Sequence, residues 1–377
     1  SCILTELCVT YALFNIYILP FAIVPIVVRT FFDSRTALFT HLIIVLICSL
    51  MVPFPHEFLL LQIVAGMVVT FSLKELSERS QLIRCAVFIF LSYAACYLSL
   101  TLYQEANLNK INWMMMLYFG INFILLMFTY VLVYMLEKTF GYVSSITLVE
   151  LSNINNPILK KLSETCPGTF QHSLQVSILA SEAAAKIGAN AQLVRTGALY
   201  HDIGKMSNPV FFTENQSSVN PHNQLSFDQS AQIIISHVTE GVKIAEKLLP
   251  KAVISFIRTH HGRGKAKYFY NSFKNQYPDK PINDELFTYP GPNPFSKETA
   301  VLMMADSVEA ASRSLKEHTE ESISALVNKI IDGQIADGLL KSAPLTFKDV
   351  ETIKSVFVDK LKTMFHTRIS YPDLKKQ

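Results

Sequence analysis

The chain has 377 residues, half of them hydrophobic, with a formal net charge of only +3 and a mean hydropathy of +0.30. That length accommodates two or three domains. The small net charge, with no concentrated basic face, argues against a nucleic-acid polymer as partner. So much apolar surface argues against a fold solvated throughout. Charge is also unevenly placed, since only 12 of the Asp, Glu, Lys and Arg residues fall in the first 136 positions. The six cysteines, Cys2, Cys8, Cys48, Cys85, Cys96 and Cys166, form no CxxC pair and read as small apolar residues rather than a disulfide framework or a zinc site.

Residues 1–6 are neither basic nor headed by methionine, so a preceding portion is expected to be missing. Five stretches then lack any formal charge: Leu7–Val28, Thr36–His56, Phe58–Leu73, Cys85–Gln104 and Ile111–Leu136. A spanning helix needs about 20 mostly apolar residues. Four stretches meet that, and the short Phe58–Leu73 one is expected to recruit flanking residues. Residues 1–136 therefore read as a transmembrane helical region of about five spans in contact with a lipid bilayer. Arg29 and Arg35 share one short loop; Lys74, Arg79 and Arg84 share another; Lys138, Lys160 and Lys161 follow the last span. The opposite side offers only Lys110, so the C-terminal half is expected in the cytoplasm.

Residues 137–166 read as a connector helix, and residues 167–377 as a soluble domain. Helical patterns recur at Gln171–Ile187 (stopped by Gly188), Ala191–Tyr200, Ser226–Leu248, Ala252–His261, Lys297–Leu315, Glu320–Ile331 and Phe347–Phe365. No alternating strands intervene, so the fold class is all-α: a polytopic transmembrane bundle followed by an all-helical domain. Residues 262–296, dense in Gly, Pro and aromatics, read as one long functional or mobile loop.

Polar residues cluster at helix ends amid apolar neighbours: His172, the pair His201-Asp202, His237, the pair His260-His261, and Asp306. Ile254, Ile257 and His261 share one helical face, as do Leu302, Asp306 and Ala310. An unpaired buried Asp costs several kcal/mol, by order of magnitude, and a metal ion removes that cost. Singly, each histidine is well explained as a hydrogen-bonded structural residue. The order His, His-Asp, His, His-His, Asp is not.

This order resembles the HD superfamily of metal-dependent phosphohydrolases, in its subset binding two metals. The segments Pro-Gly-Thr-Phe-Gln-His-Ser-Leu (167–174), Ala-Leu-Tyr-His-Asp-Ile-Gly-Lys-Met (198–206), Glu-Asn-Gln (214–216), Asn-Pro-His-Asn (220–223) and Ala-Asp-Ser-Val-Glu-Ala-Ala-Ser-Arg (305–313) are similar to the seven-transmembrane HD phosphodiesterases of the PgpH type, from about Pro20 to Pro372. The resemblance implies hydrolysis of cyclic di-AMP to pApA, placement in the bacterial cytoplasmic membrane, and an extracellular portion carrying an unidentified signal. It also implies one metal on His172, His201, Asp202 and Asp306, and a second on Asp202, His237, His260 and His261, with Asp202 bridging. Imidazole and carboxylate ligands suit iron or manganese, with zinc as the alternative.

Asp202 and Lys205 are the catalytic candidates. Lys205 either adds positive charge near the phosphorane or is a solvated surface lysine. Arg313 either touches the second phosphate or pairs with Glu309. Tyr268 and Tyr270, with Phe269 and Phe273, are stacking candidates, and His222 and Asn223 are candidates for polar contacts to the base. Stacking accepts any base, so adenine preference rests on the resemblance alone. A signal relayed through 137–166 by repacking two catalytic domains calls for a homodimer. Other readings are a cyclic di-GMP or nucleotide phosphohydrolase of the HD superfamily, or a membrane receptor whose HD fold only binds a nucleotide. Gly262-Arg263-Gly264 after the paired histidines departs from the Gly-Tyr-Pro element of the cyclic di-GMP group.

Overall fold

The computed structural model describes residues 2–11, 14–73, 79–216 and 220–365. Two compact units divide the chain, Ser1–Thr147 and Leu148–Gln377. The described residues are helical, with one isolated bridge between Lys265 and Thr288.

The first unit contains α1 (Cys2–Thr10), α2 (Ile23–Phe31), α3 (Ser34–Ser49), α4 (Pro55–Ser72), α5 (Arg79–Glu105), α6 (Met114–Met127) and α7 (Thr129–Phe140). Among the described residues, three helices are long and apolar enough to cross a membrane: Pro55–Ser72, Ser80–Glu105 and Met114–Phe140, the last made of α6 and α7 joined at Phe128. The other two charge-free stretches form shorter apolar helices, Ile16–Phe31 and Ser34–Ser49. Proline explains both. Leu19 is extended before Pro20, and α3 stops ahead of Pro53 and Pro55, because the residue before a proline is driven out of the helical region. The Phe58–Leu73 stretch does recruit neighbours, starting its helix at Pro55, where a missing N–H costs nothing. Lys74 lies outside the described residues.

This unit has an apolar core, with Phe58, Leu61, Phe119 and Leu126 buried, and an apolar surface as well. Phe39, Phe71, Phe88, Ile124 and Phe128 are exposed, whereas His41, Gln62 and Asn122 are buried. The His41 ring bonds to the Gln62 carbonyl at 2.8 Å, the Tyr93 hydroxyl donates to Gln62 Oε1 at 2.7 Å, and Asn122 donates to the carbonyls of Tyr17 and Leu19. An apolar surface over a few buried polar side chains, each making at least one hydrogen bond inside, is what a hydrocarbon solvent selects.

Residues 137–166 are not one connector helix. α7 ends at Gly141, left-handed at φ +71°. Two short helices follow, α8 (Ser145–Leu151) and α9 (Pro157–Thr165), the second capped by Asn156 with proline at its first position. Gly141 and the Asn-Asn-Pro run at 155–157 supply the breaks.

The second unit continues with α10 (Pro167–Lys186), α11 (Ala191–Tyr200), α12 (Phe227–Ala245), α13 (Lys251–Thr259), α14 (Lys267–Gln276), α15 (Lys297–Ser312), α16 (Glu320–Ala336) and α17 (Phe347–Met364). Ser226 and Thr346 close capping boxes with Gln229 and Asp349. The core joins Val176, Leu179 and Ala183 of α10 to Leu302 and Val308 of α15, Val327 of α16 and Phe357 of α17. α10 starts four residues earlier than its apolar pattern suggests, because Pro167 occupies its first turn. His172 is therefore in the second turn rather than at the start.

The 262–296 segment is not a structureless loop. It contains α14 and a 3-10 turn, Asp284–Phe287. Phe269, Tyr270 and Phe273 pack with Phe287 and Tyr289 against Ala231, Ile235 and Val238 of α12. The aromatics recur at helical spacing and bury one face, which outweighs the flanking Gly and Pro.

Candidate metal centre

The ends of α11 and α13, the second turn of α10 and the middles of α12 and α15 deliver the seven side chains to one place. His201 caps α11, and Asp202 starts a 3-10 turn, Ile203–Ser207. His260 caps α13. The His-Asp turn lies directly on α12, because a Cβ on Gly204 would sit 1.8 Å from the His237 carbonyl oxygen. Backbone atoms cannot yield that much. Gly204→Ala is therefore expected to push the turn off α12, at an overpacking cost of about 1–3 kcal/mol. A lower melting temperature together with reduced bound metal checks this; unchanged values of both would refute it.

His172, His201, Asp202, His237, His260 and Asp306 are all buried. Asp202 lies between two groups. Its Oδ2 is 3.3 Å from His201 Nε2 and 3.8 Å from His172 Nε2. Its Oδ1 is 3.3 Å from His237 Nε2 and 3.6 Å from His260 Nε2. Asp306 Oδ1 is 2.9 Å from His172 Nε2 and 3.5 Å from His201 Nε2. Among the described residues, two sets have donor atoms close enough to share an ion: His172, His201 and Asp306, and His237, His260 and His261.

The donor chemistry fits cations. His201, His237 and His260 each direct Nδ1 at a backbone carbonyl, of Ala198, Ile234 and Ile257, at 2.7, 2.6 and 2.9 Å. A carbonyl only accepts, so Nδ1 carries the proton and Nε2 presents a lone pair to the centre. His237 Nε2 and His260 Nε2 face each other at 3.0 Å, which two lone pairs tolerate only with positive charge beside them. His201 Nε2 and Asp202 Oδ1 are buried without a hydrogen-bond partner. Divalent metal binding follows from this donor set.

The carboxylates draw positive charge to the same place. Burial disfavours the charged His201 ring, but Asp202 and Asp306 outweigh it and lift its pKa to about 10, so Nε2 attracts a cation, whether proton or metal. Burial likewise opposes ionisation of Asp202, yet His201 and Lys205 hold its pKa well below the usual carboxylate range. Burial lowers the pKa of His261, and neighbouring His260 pushes it further down, favouring a neutral ring. The carboxylates stay charged and demand cations.

Lys205 is largely enclosed at the centre, its side chain 13% exposed, and is not a solvated surface lysine. Its ammonium is 2.7 Å from Asp202 Oδ2 and 2.8 Å from Glu214 Oε1. Burial opposes its charge, but the two carboxylates raise its pKa above the ordinary lysine value. Arg313 takes the ion-pair alternative: its Nη2 and Nε donate to Glu309 Oε1 at 2.6 and 2.8 Å, and Nη2 reaches Gln175. His222 bonds through Nε2 to the Phe211 carbonyl at 2.9 Å and lies between the rings of Phe211 and Phe269. Asn223 is exposed. Tyr268 stands exposed beside Phe269, while Tyr270 packs on Phe287 under the Lys265 ammonium.

Three contributors escaped the sequence reading. Glu309 is completely buried and its Oε2 contacts His172 Nδ1; its signal was the three-residue spacing from Asp306 on one helical face. Glu214 accepts from both Lys205 and Thr169. Tyr289 places its ring 4.2 Å from that of His261, and nothing in the local sequence marked it.

Residues 1–144 match the family described as a 7TM receptor with intracellular HD hydrolase, and residues 169–311 match the HD domain. The chain is 34% identical over 371 residues to the cyclic-di-AMP phosphodiesterase PgpH of Bacillus subtilis, covering 96% of this chain and 52% of that protein. It is also 34% identical to PgpH of Listeria monocytogenes, covering 95% of this chain and 51% of that one. The chain thus spans about half the length of these curated relatives. The crystal structure of the L. monocytogenes PgpH HD domain in complex with cyclic-di-AMP superimposes with a TM-score of 0.54 at 40% identity, covering 57% of this chain and 100% of that one. This multi-pass membrane protein belongs to the family of seven-transmembrane receptors with an intracellular HD hydrolase domain.

Proposed function

We propose that this protein is a membrane-tethered phosphodiesterase that hydrolyses cyclic di-AMP to the linear dinucleotide pApA. The observation that carries this reading is the position of Asp202, with one oxygen toward His172 and His201 and the other toward His237 and His260. That is the arrangement of a carboxylate shared by two ions. One ion is assigned to His172, His201, Asp202 and Asp306, the other to Asp202, His237, His260 and His261. Iron or manganese suits such ligands. The substrate is assigned by likeness to the PgpH relatives, one of which is crystallised with cyclic-di-AMP.

When bound, two divalent ions supply Lewis acidity that activates water and neutralises non-bridging phosphate oxygens. The protein supplies the rest. Lys205, held protonated by Asp202 and Glu214, places a fixed positive charge at the rim of the centre, where negative charge grows on phosphorus-bound oxygen. Glu309 fixes the orientation of His172. The lysine and arginine distribution supports a cytoplasmic catalytic unit, and the likeness to the PgpH relatives supports a place in the bacterial cytoplasmic membrane. An extracellular signal relayed by repacking of a homodimer fits the two-unit construction.

The full chain, purified in detergent with manganese or iron, is expected to yield pApA from cyclic di-AMP, and product from cyclic di-GMP more slowly or not at all. Chromatography of the products decides it. Equal turnover of both would overturn the specificity, and no turnover with either ion would overturn the activity.

A further inference from the structure

The Glu-Asn-Gln run at 214–216 supplies no metal ligand, yet it ties two elements of the centre together. α10 begins without a cap of its own, since Cys166 stands in the capping position and makes no side-chain hydrogen bond there. Pro167 has no N–H, and the Phe170 N–H returns to the Cys166 carbonyl at 2.9 Å. The N–H groups of Gly168 and Thr169 remain to be met. Both donate to Asn215 Oδ1, at 3.0 and 3.2 Å, across 47 and 46 residues of sequence. Asn215 Nδ2 donates to Thr169 Oγ1 at 2.8 Å, and that hydroxyl donates to Glu214 Oε1 at 3.0 Å. The same Glu214 oxygen accepts from Lys205 Nζ at 2.8 Å. An unbroken chain of hydrogen bonds thus runs from the first turn of α10 to the Lys205 ammonium. The fit is close, because a Cβ on Gly168 would sit 2.0 Å from the Glu214 carbonyl oxygen. Phe212, in the same segment, lays its ring 5.0 Å from Lys205 Nζ.

Resting on the phosphodiesterase reading, we propose that Glu214 and Asn215 are positioning residues, a clamp that fastens Lys205 to the start of α10 and so presets its charge for the phosphodiester. With Asp202 as its one carboxylate, the ammonium would hang from a flexible four-carbon stem by a single anchor. Glu214 is the second anchor. Asn215 fixes Glu214 in turn, by holding their shared 3-10 turn on α10, the helix that also carries His172. Lys205 then meets the growing negative charge without reorganising, which is what makes a fixed charge effective in a transition state. Glu214 and Asn215 touch neither metal ligand nor substrate in this account; both act through Lys205.

The test is a double-mutant cycle on the full chain in detergent with manganese, read as kcat for cyclic di-AMP and as bound metal. Lys205→Met is expected to lower kcat by about 10²-fold, the order of effect of removing one preset stabilising group. Glu214→Ala is expected to lower kcat by about 10-fold or more with bound metal unchanged, since misplacing a reacting group carries losses of that order. In the Lys205→Met background, Glu214→Ala should cost nothing further, because residues that act through one another are not additive. Asn215→Ala and Gly168→Ala should repeat the Glu214→Ala pattern and also speed hydrogen exchange at the Gly168 and Thr169 amides. Asn215→Asp keeps the acceptor oxygen and should keep the slow exchange. Where Glu214→Ala sheds metal, Thr169→Val decides instead. It keeps the side-chain shape, removes the hydroxyl that joins Asn215 to Glu214, and should lose rate only when Lys205 is present. Additive losses in the cycle, an unchanged kcat, or unchanged exchange in Asn215→Ala overturn the proposal. A wild-type chain that binds metal yet leaves cyclic di-AMP uncleaved overturns the phosphodiesterase reading instead. Exchange at Gly168 and Thr169 then still decides the clamp, faster exchange in Asn215→Ala and Gly168→Ala supporting it and equal exchange refuting it.

Discussion

Asp202→Ala is expected to abolish hydrolysis and to deplete metal at both positions. Its two oxygens face different histidine sets, 3.3 Å from His201 Nε2 and 3.3 Å from His237 Nε2, so no other side chain compensates for its loss. Breaking a buried charge arrangement of this kind costs about 3–5 kcal/mol. If that is lost from the transition state, turnover falls by at least about 10²–10³-fold. The substitution also leaves the Lys205 ammonium with Glu214 as its remaining acidic partner. Elemental analysis of the purified variant and product chromatography are the measurements. Two metals per chain and a near-native rate would show that Asp202 is not shared.

Sequence legibility differed sharply between parts of the molecule. The seven residues of the centre could be read because each interrupts an apolar helical pattern, and a buried charge in such a pattern requires a partner. The helices Ala191–Tyr200 and Lys297–Ser312 could be read because Asn190 and Ser296 cap their starts. α14 was hidden by the proline and glycine density around it, although the Phe269 to Phe273 spacing carried the helical signal. The length of the first two apolar stretches was misleading, since composition alone does not register Pro20 or Pro53. Lys205 was ambiguous because its meaning depends on Glu214, a carboxylate nine residues away across several 3-10 turns. Arg313 and Glu309 resembled an ordinary i,i+4 surface pair, and only the packing of α15 against α10 shows that Glu309 is buried on His172.

That position makes Glu309 the next most consequential residue of the centre. One of its oxygens contacts His172 Nδ1, and the other accepts from Arg313. With Nδ1 held by a carboxylate, His172 Nε2 is directed toward Asp306 and Asp202. Carboxylates behind metal-ligating histidines fix the ring and raise its basicity, and losing one costs about 10–100-fold in metal affinity or activity. Glu309→Gln keeps shape and a hydrogen bond but removes the charge. It is expected to weaken the ion assigned to His172, His201, Asp202 and Asp306 by that factor while sparing the one on His237, His260 and His261. Metal titration should therefore split into one tight and one weakened site, and turnover should recover as manganese is raised. Arg313→Met separates this role from that of the surface pair: it removes the partner of Glu309 without touching His172, so its titration should stay near wild type. Matching titrations for wild type and Glu309→Gln would reduce Glu309 to the partner of Arg313, and equal weakening of both ions would place its influence on the whole fold rather than on His172.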